Sequence, residues 1–185
     1  MKKDTAELIA RLKSNEVAAF DWLIEQYSER LYWHIRRVVV QHEESEDVLQ
    51  ETFVRAYTSI SEFRGEAESS LTAWMYRIAT TQAIKALRRR KRGIFSSIDS
   101  VRGDLLATFE QEVDPSADEI VVRLQKAVLA LPTKQRLAFN MRYYDELSFE
   151  QISQITGQSV STLKTNYHYA VQKIKEQVRV VEIDE

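Results

Sequence analysis

Ser161, Thr162, Lys164, Thr165, His168 and Tyr169 are the side chains of this chain best suited to reading a polyanion. On a helix turning about 100° per residue, Ser161, Thr165 and His168 fall on one side with Gln172, flanked by Thr162, Lys164 and Tyr169. That side offers donors, acceptors and one cation, with few carboxylates to repel phosphate, which suits insertion into a major groove. A second group is Lys85, Arg88, Arg89, Arg90, Lys91 and Arg92, six cations within eight residues at the end of a helical stretch. Each exposed charge stabilises a helix terminus by only about 0.3–1 kcal/mol, so such density points to a phosphate clamp. A third group is aromatic: Phe63, Trp74 and Tyr76 bracket a polar loop, Arg64 to Ser70, where unstacked bases could be received. Trp74, at helical spacing, equally suits a core position. Asp47 and Glu51, one turn apart beside Glu43, Glu44 and Glu46, read as a solvated or protein-binding helix face.

Catalytic constellations are missing. The chain has no cysteine, and His34, His42 and His168 lack metal-ligand spacing. Neither a phosphate-cradling glycine loop nor a nucleophile elbow is present. No enzyme activity, metal or cofactor is expected.

The elements that position these groups follow from caps and periodicity. Ser148 and Gln151 have capping-box spacing, Ile152 and Ile155 give a short helix one apolar face, and Gly157 stands where a left-handed cap is needed. Ser159 can cap the next helix, whose inner stripe is Leu163, Tyr167, Ala170 and Ile174. Short helix, tight turn and longer helix make a helix-turn-helix over residues 148–173. Upstream, Ala6, Ile9 and Leu12 mark an opening helix, and Phe20, Leu23, Ile24, Tyr27, Leu31, Ile35 and Val38 a long second one. A third, capped by Ser45, buries Val48, Leu49, Thr52, Phe53, Ala56, Tyr57 and Ile60. After Gly65, a fourth runs from about Ser70 with Leu71, Trp74, Met75, Ile78 and Leu87 inward. Asp114 and Pro115 predict the cap and first residue of a helix carrying Ile120, Val121, Leu124, Val128 and Leu131. Thr133 caps the next, with Leu137, Met141 and Tyr144 inward.

Formal charge is −2, but it is unevenly spread. Residues 1–92 carry 16 basic and 14 acidic side chains, residues 93–122 one and seven, and residues 123–185 nine and seven. Two mildly basic blocks therefore flank an acidic connector. Together with four glycines and two prolines, this predicts an all-α chain. Its two small helical domains are 1–92 and 115–185, joined by a flexible acidic linker, 93–114. No apolar run approaches the roughly 20 residues of a membrane span, and the N-terminus reads as an amphipathic helix, so a soluble cytoplasmic protein is expected. The residues leave open a dimeric helix-turn-helix regulator, a protein-binding adaptor, or a monomeric specificity subunit.

The segments AFDWLIEQYSERLYWHIRR, SEDVLQETFVRAYTSISEFRG, LTAWMYRIATTQAIKALRRRKR and LPTKQRLAFNMRYYDELSFEQISQITGQSVSTLKT occur in the order found in one family. The chain resembles the extracytoplasmic-function sigma factors of the sigma-70 family, from about Ala19 to Lys175. The resemblance implies core RNA polymerase and promoter DNA as partners, control by an anti-sigma factor, and a monomer when free. It makes Asp47, Gln50 and Glu51 polymerase-binding candidates. The loop from Phe63 to Leu71, Arg64 included, becomes the segment that captures a flipped −10 base. The helix from Trp74 to Arg92 becomes the element that opens and holds the duplex, and Lys164, Thr165, His168 and Tyr169 become readers of the −35 element. The linker is implied to thread the polymerase, where acidic residues such as Asp99, Asp104, Glu110 and Glu112 would mimic RNA. Thr81, Lys85, Asn166, Tyr169 and Val171 depart from the family pattern: many relatives carry Asn and Asp at the first two and arginines at the other three. The ending TNYHYAVQKI is similar to the form found in Bacteroidetes-type members.

Overall fold

A computed structural model describes the backbone of residues 2–92 and 98–179, and the side chains of 5–90 and 102–178. Every regular element among them is helical: α1 Lys2–Lys13, α2 Val17–Val39, α3 His42–Ser59, a 3-10 turn Ile60–Glu62, α4 Glu68–Arg92, α5 Ile98–Glu112, α6 Glu119–Leu129, α7 Thr133–Tyr143, α8 Phe149–Thr156 and α9 Val160–Arg179. The chain divides into two compact units, Met1–Ala86 with Gln154–Gly157, and Leu87–Ser153 with Gln158–Glu185.

In the first unit, α2 supplies Leu23, Tyr27, Leu31, Ile35 and Val38 to a core shared with Val48 of α3 and Leu71, Met75 and Ala79 of α4. Two buried polar contacts pin α2 to α4: the Tyr27 and Thr72 hydroxyls meet at 2.8 Å, and His34 Nε2 lies 2.9 Å from Thr80 Oγ1. The Thr80 hydroxyl donates to the Tyr76 carbonyl, so it accepts from His34. Burial raises the Tyr27 phenol above its usual range, which keeps it a neutral partner for Thr72.

The α2–α3 junction is tight. Val40 adopts φ 71° while 3% exposed, a strained conformation for a β-branched residue, and its amide caps α2 on the Arg36 carbonyl. After this turn α3 begins at His42, ahead of the start that a cap at Ser45 predicts. Ser45 is therefore not the cap; it is buried inside the helix, its hydroxyl donating to the Gln41 carbonyl at 2.6 Å. Two residues expected in stripes are exposed instead, Ile24 on α2 and Tyr57 on α3.

In the second unit, Ala127, Val128, Leu131, Phe139, Ala170 and Ile174 form the core between α6, α7 and α9. Residues 98–112, expected to be irregular, form α5. Leu105 is fully buried, Arg102 donates to the Ala130 carbonyl at 3.3 Å, and Lys126 pairs with Glu110 at 2.8 Å. The contacts described for this acidic connector are thus with α6 and its C-terminal end. Apolar residues Ile98, Leu105 and Phe109 keep helical spacing, and Gly103 is tolerated within the helix rather than ending it. The Asp99 side chain lies outside the described residues.

Asp114 does not cap α6. It accepts from the Ser116 amide and hydroxyl in a local turn, which lowers its carboxyl pKa, and Asp118 caps the helix by accepting from the Ile120 amide at 2.8 Å. Ile120 and Val121, expected inward, are consequently exposed on the first turn. Thr133 is the first residue of α7, whose cap position is Pro132. Arg136 and Asn140 are both 1% exposed, and Arg136 Nε and the Asn140 amide group have no hydrogen-bond partner among the described residues. Burial alone lowers the Arg136 guanidinium to about 10.

Candidate nucleic-acid interface

The helix-turn-helix is built by local hydrogen bonds. The Ser148 amide donates to Gln151 Oε1 at 2.9 Å and the Gln151 amide to Ser148 Oγ at 3.1 Å, the reciprocal box expected for α8. Gly157 ends α8 with φ 72°, where an L side chain would be strained. Ser159 then caps α9, accepting from the Thr162 amide at 3.1 Å, and Ser153 donates to the Gln158 carbonyl across the turn.

These caps fix the rotation of α9. Leu163, Ala170 and Ile174 are buried, Tyr167 is half-buried, and Ser161, Thr162, Lys164, Thr165, His168 and Tyr169 are all exposed. Their polar groups are not equally available. The Thr162 hydroxyl is engaged with Ser159 Oγ at 2.8 Å, so it belongs to the cap as much as to the outer face. Thr165 donates to the Ser161 carbonyl at 3.0 Å and keeps its acceptor capacity outward. Tyr169 is 50% exposed, with its ring 5.9 Å from that of His168. Asn166 donates to Gln158 Oε1 at 3.2 Å and so braces the turn.

Arg142 is a member of this surface that the sequence does not single out. Its guanidinium lies 5.7 Å from the centre of the Phe149 ring, and the Lys164 ammonium lies 5.9 Å from the same centre. One aromatic ring thus gathers a cation from α7 and a cation from α9 at the start of the motif. The wheel of α9 cannot reveal a neighbour from another helix.

The second basic region is one stripe of α4. Trp74, Arg77, Thr81, Lys85, Arg88 and Arg89 follow helical spacing along one side; Trp74 is half-buried and the others are exposed. Arg77 extends this stripe back toward the loop, and sequence reasoning misses it because it stands apart from the cation run. Arg90 is half-buried, and the Lys91 and Arg92 side chains lie outside the described residues. Thr81 donates to the Arg77 carbonyl at 2.7 Å, a bond within the helix itself.

At the N-terminal end of the stripe, Phe63, Arg64, Gly65, Ser70, Trp74 and Arg77 line a groove. Phe63 is 5% exposed with its ring 5.2 Å from Trp74, so it is the floor of the groove rather than an open stacking face. Tyr76 is 1% exposed against the His34 ring, so it is a core residue and not a stacking platform. Arg64 is exposed. Gly65 is required here, since a Cβ would lie 2.5 Å from Phe63 Cζ and 2.6 Å from Ser70 Cβ.

On α3, Asp47, Gln50 and Glu51 are exposed. The opposite side of α3 carries Val48, Thr52 and Ala56 into the core.

Comparison with known proteins places the chain in a family. Residues 23–93 match the family model for Sigma-70 region 2, and residues 122–174 match that for Sigma-70 region 4. The ECF RNA polymerase sigma factor SigW of Bacillus subtilis is 30% identical over 179 residues, covering 92% of this chain and 95% of SigW. The ECF RNA polymerase sigma-E factor of Haemophilus influenzae is 29% identical over 181 residues, covering 93% of this chain and 94% of that protein. The fold is shared with CnrH, solved in complex with the cytosolic domain of CnrY: TM-score 0.69, 19% identity, 98% and 99% of the two chains. RpoE of Bartonella quintana, solved in complex with the anti-sigma factor NepR, gives TM-score 0.68 at 18% identity over 91% and 100% of the chains. The chain belongs to the extracytoplasmic-function sigma factors of the sigma-70 family, which bind core RNA polymerase and direct it to promoters.

Proposed function

We propose that this sigma factor divides its work among three surfaces. The polar side of α3, with Asp47, Gln50 and Glu51, docks on core polymerase. The groove at Phe63–Trp74 and the stripe Arg77, Thr81, Lys85, Arg88 and Arg89 engage the −10 region, with Arg64 and Trp74 at the extruded base and the cations on its backbone. The outer face of α9 reads the −35 element in the major groove through Lys164, Thr165, His168 and Tyr169, while Arg142, which shares the Phe149 ring with Lys164, adds a phosphate contact. Ser161 and Thr162, exposed at the start of α9, contact the DNA backbone. In domain terms, residues 1–92 carry the first two surfaces and 115–185 the third. The subunit performs no chemistry of its own and acts in the cytoplasm, on the polymerase and its promoters.

The observation that carries this reading is the rotation of α9, set by the caps at Ser148, Gly157 and Ser159, which leaves every proposed reading side chain exposed. An anti-sigma factor controls the chain by occupying the polymerase-binding and DNA-binding surfaces. That proteins of this fold were solved in complex with CnrY and with the anti-sigma factor NepR supports such a partner. The test is capture of core polymerase by the folded Asp47→Arg, Glu51→Arg double variant. Reversal of two exposed charges should weaken capture at least tenfold while leaving the helical signal unchanged. Capture at the wild-type level would reject α3 as the docking element.

A further inference from the structure

We propose that the polymerase-docking surface is anchored by an apolar centre formed by Ile24 of α2 with Val54 and Tyr57 of α3, and that the neighbouring carboxylates chiefly steer the approach. The proposal rests on the reading that α3 docks on core polymerase.

On the wheel of α3, Val54 falls between Asp47 and Gln50, in the middle of the polar stripe, and it is 64% exposed. One turn further, Tyr57 is 49% exposed, yet it is not free to swing. Its ring stands edge-on to the buried Phe20 ring, with centroids 4.7 Å apart and planes at 64°. Ile24 follows Phe20 by one turn on the same face of α2 and is 42% exposed. The two helices are joined by the short turn at Val40 and Gln41, and the start of α2 meets the end of α3 at Phe20 and Tyr57. They therefore run antiparallel, and residues after Phe20 lie beside residues before Tyr57. Ile24 is thus brought toward Val54.

A single exposed apolar residue needs no explanation. Three on adjoining turns of two packed helices, bordered by Asp47, Gln50 and Glu51, reproduce the plan of a protein interface: an apolar centre inside a polar rim. Burying these side chains in the first unit's core is impossible, because Val48, Thr52 and Ala56 already fill the inward side of α3. The complementary partner surface carries an apolar side chain flanked by Lys or Arg, and its place beside the docking carboxylates assigns it to core polymerase. Apolar anchors act mainly on dissociation, whereas exposed charges act mainly on association and its salt dependence.

The test is the kinetics of the full chain binding purified core polymerase at two salt concentrations. Val54→Ser and Ile24→Ser should each raise the dissociation rate by about tenfold, with association and its salt slope unchanged. Asp47→Asn with Glu51→Gln should slow association several-fold and flatten its salt dependence. Val54→Thr, nearly isosteric with valine, serves as a second variant, and far-UV circular dichroism melts check that each chain is folded. If the serine variants dissociate at the wild-type rate while the amide pair still weakens binding, the anchor is refuted and α3 remains the docking helix. If neither set changes binding, the α3 reading falls with it. If the serine variants only convert a free dimer to a monomer, the patch serves a second copy and the proposal is overturned.

Discussion

Lys164 of the reading helix and Phe149 at the start of α8 are held together, the ammonium 5.9 Å from the ring centre. The Lys164 side chain is therefore oriented in part by a residue of the preceding helix. Phe149→Leu removes the ring that both Lys164 and Arg142 approach, while keeping an apolar side chain at this half-buried position. The expected result is a fall of about 3–10-fold in holoenzyme affinity for the promoter, the scale of one cation–π interaction plus a looser phosphate clamp. A promoter-binding titration with wild-type and variant holoenzyme measures it. Unchanged affinity would mean the two cations are positioned without the ring.

Base reading and backbone holding should separate by substitution. Lys164→Ala and His168→Ala are expected to change preference at the upstream promoter element, each by about 1–3 kcal/mol, the discrimination supplied by a good base-edge interaction. Alanines at Arg88, Arg89 and Arg90 should weaken all promoters alike, and the salt slope should drop by about one for each arginine that holds a phosphate. Holoenzyme affinity across a panel of promoter variants at two salt concentrations distinguishes them. Identical profiles from the two groups would refute the division of labour.

The caps of α8 and α9 are legible in the sequence because a capping box and a left-handed glycine are local: Ser148, Gln151, Gly157 and Ser159 need no distant partner. What lies beyond reach depends on neighbours remote in sequence. Periodicity marks an apolar side of a helix but not how much of it a neighbour covers, so Ile24, Tyr57, Ile120 and Val121 read as core and stand in solvent. Ser45 and Asp114 resemble caps, yet the turns around them start the helices elsewhere. The helix α5 is hidden by its acidic residues and Gly103, although its apolar spacing is present. Arg142 joins its surface only through the fold, whereas Arg77 keeps the helical spacing of α4 but stands apart from its run of cations.

Arg136 is the clearest such case, since nothing in its sequence neighbourhood distinguishes it from a surface cation. Its folded pKa of about 10 lies below the ordinary guanidinium range, so the unfolded chain binds the proton more tightly. Burial of the charge therefore costs stability in full below about pH 10, and the cost is relieved as pH rises above that value. Arg136→Met, of similar length, should leave thermal stability at pH 7 unchanged or raise it by about 1–3 kcal/mol. A melt followed by circular dichroism reads the difference. Destabilisation by more than about 2 kcal/mol would show that the guanidinium has a partner that stabilises it.

Threading of the connector through the polymerase would require α5 to give up its helix and its contacts at Leu105 and Glu110. Gly103 lies within α5, and a Cβ added there would meet nothing within 4 Å, so Gly103→Ala should stabilise the helix by about 1 kcal/mol. If the connector unwinds on assembly, this variant binds core polymerase about fivefold more weakly and releases a changed yield of short transcripts, with promoter preference intact. Wild-type assembly and an unchanged short-transcript yield would mean α5 stays folded in the holoenzyme.

The most direct measurement is run-off transcription by core polymerase with the purified chain on a promoter containing both elements. Initiation at a single start should depend on the added chain. It should fall on alteration of either promoter element and be lost when Asp47→Arg with Glu51→Arg is supplied in its place. Transcription that ignores both elements, or that proceeds equally with the double variant, would contradict the account.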